Sequence, residues 1–148
     1  MGKITKQAQR ILNDVTNFFM GTYGTNTLEI TKAAEYIWGL AWWLYGDAVG
    51  EMPPIMFNNR LKSTAGRAFM LTAYNRANFP DMVERIELNK KLYENNPNAF
   101  LSDIIRHELG HFIAFRVFGE ENHGKAWREV MNALGDENPS LLTKEVLK

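Results

Sequence analysis

The side chains in this sequence best equipped for chemistry are its three histidines, His107, His111 and His123, which fall close together late in a chain of 148 residues. The first two belong to His107-Glu108-Leu109-Gly110-His111, an H-E-x-x-H pattern. On a helix, residues four apart project from the same side, about 40° apart around the axis. Two imidazoles so placed can bind one zinc ion, and Glu108, about 60° to the side of His111, can act as general base without ligating the metal. At this chain's His and Glu content the pattern arises by chance in roughly one sequence in 300. The plain alternative is that these are packed or surface histidines. The surrounding residues argue against it, because Ile104, Ile105, Leu109, Phe112, Ile113, Phe115 and Val117 make the segment apolar almost all round. A mostly buried helix is a costly place for two imidazoles and a carboxylate unless a cation compensates them.

The third ligand has two candidates. His123 follows His111 by eleven intervening residues, too far for the short metzincin spacing. Glu129 is the rival, as a downstream helical carboxylate. On the helix that follows, Ala126, Trp127, Val130, Met131 and Leu134 form the core-facing stripe. Extended back one turn, that stripe contains His123 and faces away from Glu129. The expected metal set is therefore His107, His111 and His123, holding one catalytic zinc, with a fourth position left open for chemistry. A peptide bond is the usual substrate of this arrangement. Tyr74 and Tyr93 are weighed as oxyanion stabilisers and left out of the site, since a Tyr in such segments more often packs.

Elements must position these groups. Residues 3–20 read as an amphipathic helix, stopped by the turn-forming stretch 21–26. A second helix is expected over 27–45, burying Ile30, Ala34, Ile37, Trp38, Ala41 and Tyr45. Tyr36 and Trp43 fall outside that stripe and are expected to be covered by a neighbouring element, a partner surface being the alternative. Short runs at 55–57, 66–74 and 83–88 read as strands of a small sheet, with a turn at 75–78 and Pro80 between the last two. Asn98 is the expected cap of a helix running to Phe118, stopped by Gly119, and a last helix spans 124–134 before Gly135. The fold class is α+β: a small antiparallel or mixed sheet packed against helices, zincin-like, with the H-E-x-x-H segment on a helix. One domain is expected over 1–148, with N-terminal helices 3–46, a sheet region 53–90 and metal-site helices 98–135.

Composition narrows the class. Apolar residues make up 45%, an ordinary share for a globular chain, and 17 basic residues balance 17 acidic ones. That balance is unlike a protein built to coat nucleic acid. With no cysteine, disulfides, thiolate zinc sites and cysteine nucleophiles are excluded. The first residues lack the apolar stretch of a secretory signal, and the apolar run 33–45 is too short to span a bilayer. The expected location is cytoplasmic, with no membrane partner.

Four ordered elements resemble the SprT-like (Spartan-type) zinc metalloprotease family. Besides H-E-x-x-H, His123-Gly124-Lys125-Ala126-Trp127 is similar to that family's H-G-x-x-W/F element carrying the third ligand. Leu61-Lys62-Ser63-Thr64-Ala65-Gly66-Arg67-Ala68 resembles its Ala-Gly-rich stretch, and Ile86-Glu87-Leu88-Asn89 its strand ending in Leu-Asn. The resemblance covers roughly residues 54–135. It implies a zinc protease acting on proteins attached to or associated with DNA, in the setting of DNA–protein crosslink repair. Many members carry a cysteine zinc ribbon after the protease core, and none is expected here. Lys62, Arg67, Arg76 and Arg85 offer a basic strip for DNA beside the cleft; solvated charges on a sheet edge are the alternative reading. Two further functions stand beside the leading one: a zinc protease for free or unfolded proteins without DNA dependence, and a catalytically silent zinc-binding interaction module.

Overall fold

The computed structural model describes residues 28–136; the amphipathic segment 3–20 and the residues after 136 lie outside it. Among the described residues no helix is long and apolar enough to cross a membrane.

Helix α1, Leu28–Tyr45, buries Ile30, Ala34, Ile37, Trp38, Ala41 and Trp42, which recur at helical spacing. Tyr45 is only half-buried and meets the Phe118 ring edge-on at 5.8 Å. Tyr36 and Trp43 are exposed, at 74% and 42%, so among the described residues no neighbouring element provides the expected covering of these rings. The chain then turns through a short 3-10 segment, Gly46–Val49. The Trp38 and Trp42 indole N–H groups both donate to the Gly50 carbonyl, at 3.0 and 3.1 Å. From the other side the Arg116 guanidinium donates to the carbonyls of Val49 and Glu51. The loop 46–53 is thereby fastened to the helices.

Three strands follow, β1 Ile55–Phe57, β2 Gly66–Phe69 and β3 Arg85–Leu88, in the order β1-β3-β2. β1 runs parallel to β3 and β2 antiparallel, so the sheet is mixed. Alternation puts Ile55, Ala68, Gly66, Ile86 and Leu88 on the side of the helices. Ile86 and Leu88 are 1% and 0% exposed. Glu87 lies between them on the opposite face, where it accepts from Asn58, Arg67 and Arg85.

The expected strand 66–74 ends at Phe69, and the expected turn 75–78 is part of a helix, α2, Ala73–Asn78. Thr72 causes the change, because its hydroxyl accepts from the Asn75 N–H at 3.1 Å and caps the helix. Asn89 does the same for α3, Lys90–Asn95, which the apolar periodicity did not announce; its side-chain oxygen accepts from the Leu92 N–H at 3.1 Å. Asn98 is not a cap. The chain is already helical at Pro97–Ala99, widens into a π turn over Phe100–Ile104, and continues as α4, Ile105–Phe118. Gly119, at φ 74°, ends α4 in the left-handed conformation that glycine adopts without steric cost. Helix α5, Lys125–Ala133, closes the fold.

The core is built around α4, which packs against α1, α5 and strand β2, and includes Trp38, Ile55, Leu88, Ile104, Leu109, Phe112, Trp127 and Val130. Each such side chain contributes roughly 1.5–3 kcal/mol by leaving water, and together they hold α4 against the sheet.

Candidate metal centre

His107 and His111 stand one turn apart near the start of α4, and His123 is the second-last residue before α5. The intervening turn has its own local order. Glu120 accepts from the Asn122 N–H at 3.2 Å, and its carboxylate occupies the space a Cβ at Gly124 would need. This folds His123 back over α4. A second glycine permits close packing between the helices: a Cβ at Gly110 would overlap the Met131 sulfur, so a larger residue there requires the Met131 side chain to move.

The three imidazoles converge through Nε2. His107 Nε2 stands 3.3 Å from His111 Nε2 and 3.3 Å from His123 Nε2. One ligand nitrogen from each ring can be chosen so that all three lie within 4.8 Å of one another. Hydrogen bonding between the rings does not account for both short contacts, because an imidazole nitrogen offers one in-plane site. Two nitrogens bound to one zinc at 2.0–2.1 Å and a tetrahedral angle stand about 3.3 Å apart. The spacing and the donor type therefore fit a single metal ion.

Burial tunes the same groups. It pushes His107 down to about 4, with the neighbouring His123 adding to the effect. His111 falls to about 3 for the same reason, reinforced by His107 and His123. Both rings are thus neutral at physiological pH, as ligation requires. Glu108 is 5% exposed, and burial pushes its carboxyl up to about 8. Its Oε1 lies 3.9 Å from His107 Nε2, while Oε2 is buried with no hydrogen-bond partner among the described residues. A buried carboxylate edge beside three converging nitrogens suits a proton acceptor facing a bound cation.

Glu129 does not join the cluster; it is exposed and pairs with Lys125 at 3.9 Å. The expected basic strip is largely taken up elsewhere. Arg67 and Arg85 both bind Glu87, at 3.1 and 2.9 Å, and the Arg85 guanidinium lies 4.0 Å over the Phe69 ring. Burial opposes ionisation of Glu87, but hydrogen bonds from Asn58, Arg85 and Arg67, with the charge of Arg85, hold its carboxyl below the usual range. Arg76 donates to the Leu71 carbonyl. Tyr93 packs between Phe57 and Phe100, and Tyr74 is exposed against Phe79.

Two features of the site were not read as functional from sequence. Trp127, assigned to the core stripe, touches all three imidazoles. Gly66 abuts Glu108, with a Cβ there 3.2 Å from Glu108 Cγ. The Ala-Gly-rich stretch around residue 66 was the only sequence signal for that contact.

Comparison with known proteins places the sequence in a family. The family model described as the SprT-like family matches residues 48–145. The chain is 38% identical over 84 residues to Protein SprT of Vibrio parahaemolyticus, covering 56% of this chain and 44% of that one. It is 43% identical over 88 residues to Protein SprT of Pasteurella multocida, covering 59% and 46% respectively. The chain thus spans less than half the length of these curated relatives. No solved structure matches it.

Proposed function

The chain belongs to the SprT-like family, and from that premise we propose that it is a zinc-dependent metallopeptidase of zincin-like design. His107, His111 and His123 would hold the ion, and Glu108 would be the general base. One observation carries the reading: the paired 3.3 Å Nε2 contacts made by His107, which match the spacing of ligands around one tetrahedral ion. When bound, zinc supplies Lewis acidity, lowering the pKa of water and polarising a carbonyl.

The chain's own residues do the rest. Neutral His107 and His111 offer Nε2 lone pairs without first having to lose a proton. A cation held by the three neutral rings would oppose the burial that keeps Glu108 protonated and so make its carboxylate available. Glu108 then accepts a proton from water and can return it to the leaving amine. Trp127 is buried against the imidazoles and lowers the local dielectric, which strengthens these interactions.

The substrate class is part of the proposal: proteins associated with DNA. Family membership supports it, together with one feature of the chain. Arg60, Lys62, Lys90 and Lys91 are exposed, and they lie on segments that Asn89 ties together. Its side chain donates to the Leu61, Lys62 and Thr64 carbonyls. That knot sits at the end of the sheet where Gly66 meets Glu108.

The test is cleavage of a DNA-binding protein by zinc-loaded protein, with and without single-stranded DNA, beside Glu108→Gln. Glu108→Gln is expected to keep zinc and to lose roughly 10²–10⁴ in turnover. Cleavage indifferent to DNA would remove the substrate class and leave the chemistry. Full zinc occupancy without cleavage under any condition would leave a silent zinc module.

A further inference from the structure

We propose that Trp127 is the positioning residue of this metal centre: its indole packs against all three imidazoles and, for His107 and His111, takes the place of hydrogen bonds in fixing the orientation of the rings. The inference rests on the metal-binding reading above and adds to it how the ligand set is held.

The contacts are specific in kind. The indole stacks on His111 at 5.5 Å between centroids and 21° between planes. His107 and His123 meet it edge-on, at 5.1 and 4.5 Å and 69° and 71°. A stacked ring on one ligand and two crossed rings on the others restrain three different rotations. Trp127 itself is 1% exposed and sits one turn after His123 on α5. Gly110, between the two α4 histidines, lies beside it: a Cβ there would stand 3.5 Å from the indole nitrogen, an ordinary contact, so the glycine makes way for Met131 and not for the indole.

The usual alternative device is missing. When an imidazole ligates through Nε2, its Nδ1 carries a proton, and in most metal sites a carboxylate or carbonyl accepts it and so fixes the ring. Here His107 Nδ1 and His111 Nδ1 are buried with no hydrogen-bond partner among the described residues, and neither has the Trp127 indole N–H one. Nothing polar in the described protein sets the tilt of those rings. Packing must do it, and Trp127 is the one residue shown in ring contact with all three. The choice of Trp also suits the charge. Ligation makes an imidazole more electropositive, and an electron-rich indole face stabilises a positively polarised ring stacked upon it.

The experiment compares the wild type with Trp127→Leu, Trp127→Phe and Val130→Ala, the last a control that thins the buried face of the same helix without removing an aromatic ring. Zinc affinity is measured by chelator competition, and the visible ligand-field spectrum is recorded with cobalt(II) at saturation. Trp127→Leu is expected to weaken zinc roughly 10–100-fold, the range typical of losing a group that orients the ligands. Trp127→Phe keeps a flat face and is expected to recover most of that loss while its cobalt bands remain displaced from the wild type. Val130→Ala is expected to lower the melting temperature and leave the bands in place. Wild-type cobalt spectra in both Trp127 variants would overturn the proposal, as would an affinity loss matched by Val130→Ala. If Trp127→Leu does not fold, the Trp127→Phe spectrum decides alone, displacement supporting the proposal and identity with wild type refuting it. A wild-type protein that binds neither ion fails the metal-binding reading itself, which is a separate and recognisable result.

Discussion

Gly66 on the edge strand β2 lies directly against Glu108 on α4: a Cβ at position 66 would stand 3.2 Å from Glu108 Cγ and 3.3 Å from its Oε2. The strand therefore acts as a wall for the carboxylate. Leu88 closes the same space, 3.2 Å from that Cβ position. The contact explains why Glu108 is so deeply buried and why its proton is held so firmly. It links the sheet, which carries none of the ligands, to the residue assigned the proton transfer.

Gly66→Ala is expected to displace the Glu108 side chain without reaching the imidazoles. Zinc content should remain near one per chain, while turnover should fall roughly ten- to a hundredfold, the scale of a small misplacement of a reacting group. Zinc analysis beside a peptidase assay separates the two effects. Wild-type turnover in the Ala variant would show that Leu88 and Glu108 absorb the extra methyl.

The metal-free protein should lose stability toward both acid and alkali. Burial raises the Glu108 carboxyl from 4.5 to about 8. Its contribution is complete below the unfolded value of 4.5 and is lost as pH rises through 8. His107 and His111 are lowered from 6.5 to about 4 and about 3. Their contribution is complete above 6.5 and is lost as pH falls toward those values. Between 6.5 and 8 only the carboxyl among these three changes, so the melting temperature of the metal-free wild type should decline across that interval. Glu108→Gln should remove that decline and be the more stable form at pH 8. Parallel melting curves for the two proteins from pH 6.5 to 8 would contradict the assignment.

What could be read from the sequence was whatever a single helix encodes locally. His107, Glu108 and His111 share one helix, so their relation follows from its pitch, and His123 follows from extending the stripe of Trp127, Val130 and Met131 by one turn. The short helices α2 and α3 escaped because neither buries a residue. They exist through the Thr72 and Asn89 caps and carry no apolar period to read. Arg67 and Arg85 looked like free cations because their partner, Glu87, lies on a strand whose register no local rule supplies. Gly66 and Gly110 act through the absence of a side chain, and only the packed neighbours Glu108 and Met131 reveal what that absence permits.

Arg116 should matter to stability more than its position at the far end of α4 suggests. It donates to the Val49 carbonyl at 2.7 Å, pairs with Glu84 at 3.3 Å, and lies 5.5 and 5.3 Å from the Trp38 and Phe112 ring centres. Arg116→Ala removes all of these together and leaves the loop 46–53 carbonyls short of a donor. A loss of about 2–4 kcal/mol in denaturant unfolding is expected, on the scale of a partly buried charged hydrogen-bond hub. Arg116→Lys should recover only part of it, since a single ammonium cannot reproduce the planar fork. A change below about 0.5 kcal/mol, the level of ordinary surface substitutions, would mean that Trp38 and Trp42 hold the loop unaided.

The third ligand gives the sharpest separation between two residues on neighbouring turns. His123 brings its Nε2 to 3.3 Å from that of His107, and its ring lies 4.6 Å from that of His111. Glu129 points to the opposite side of α5, exposed and paired with Lys125. Removing a true ligand leaves two imidazoles and should weaken zinc at least ~100-fold, lowering the melting temperature of the zinc-loaded protein toward that of the metal-free form. His123→Ala is expected to do this. Glu129→Ala should bind zinc as the wild type does, because its loss costs only one exposed ion pair. The reverse pattern, with zinc lost in Glu129→Ala and kept in His123→Ala, would require α5 to turn its opposite face to the site and would overturn the ligand set. Loss in both would mean that α5 as a whole must dock before the site forms, and the Lys125→Ala variant, which breaks the same ion pair from its other end, would then lose zinc as well.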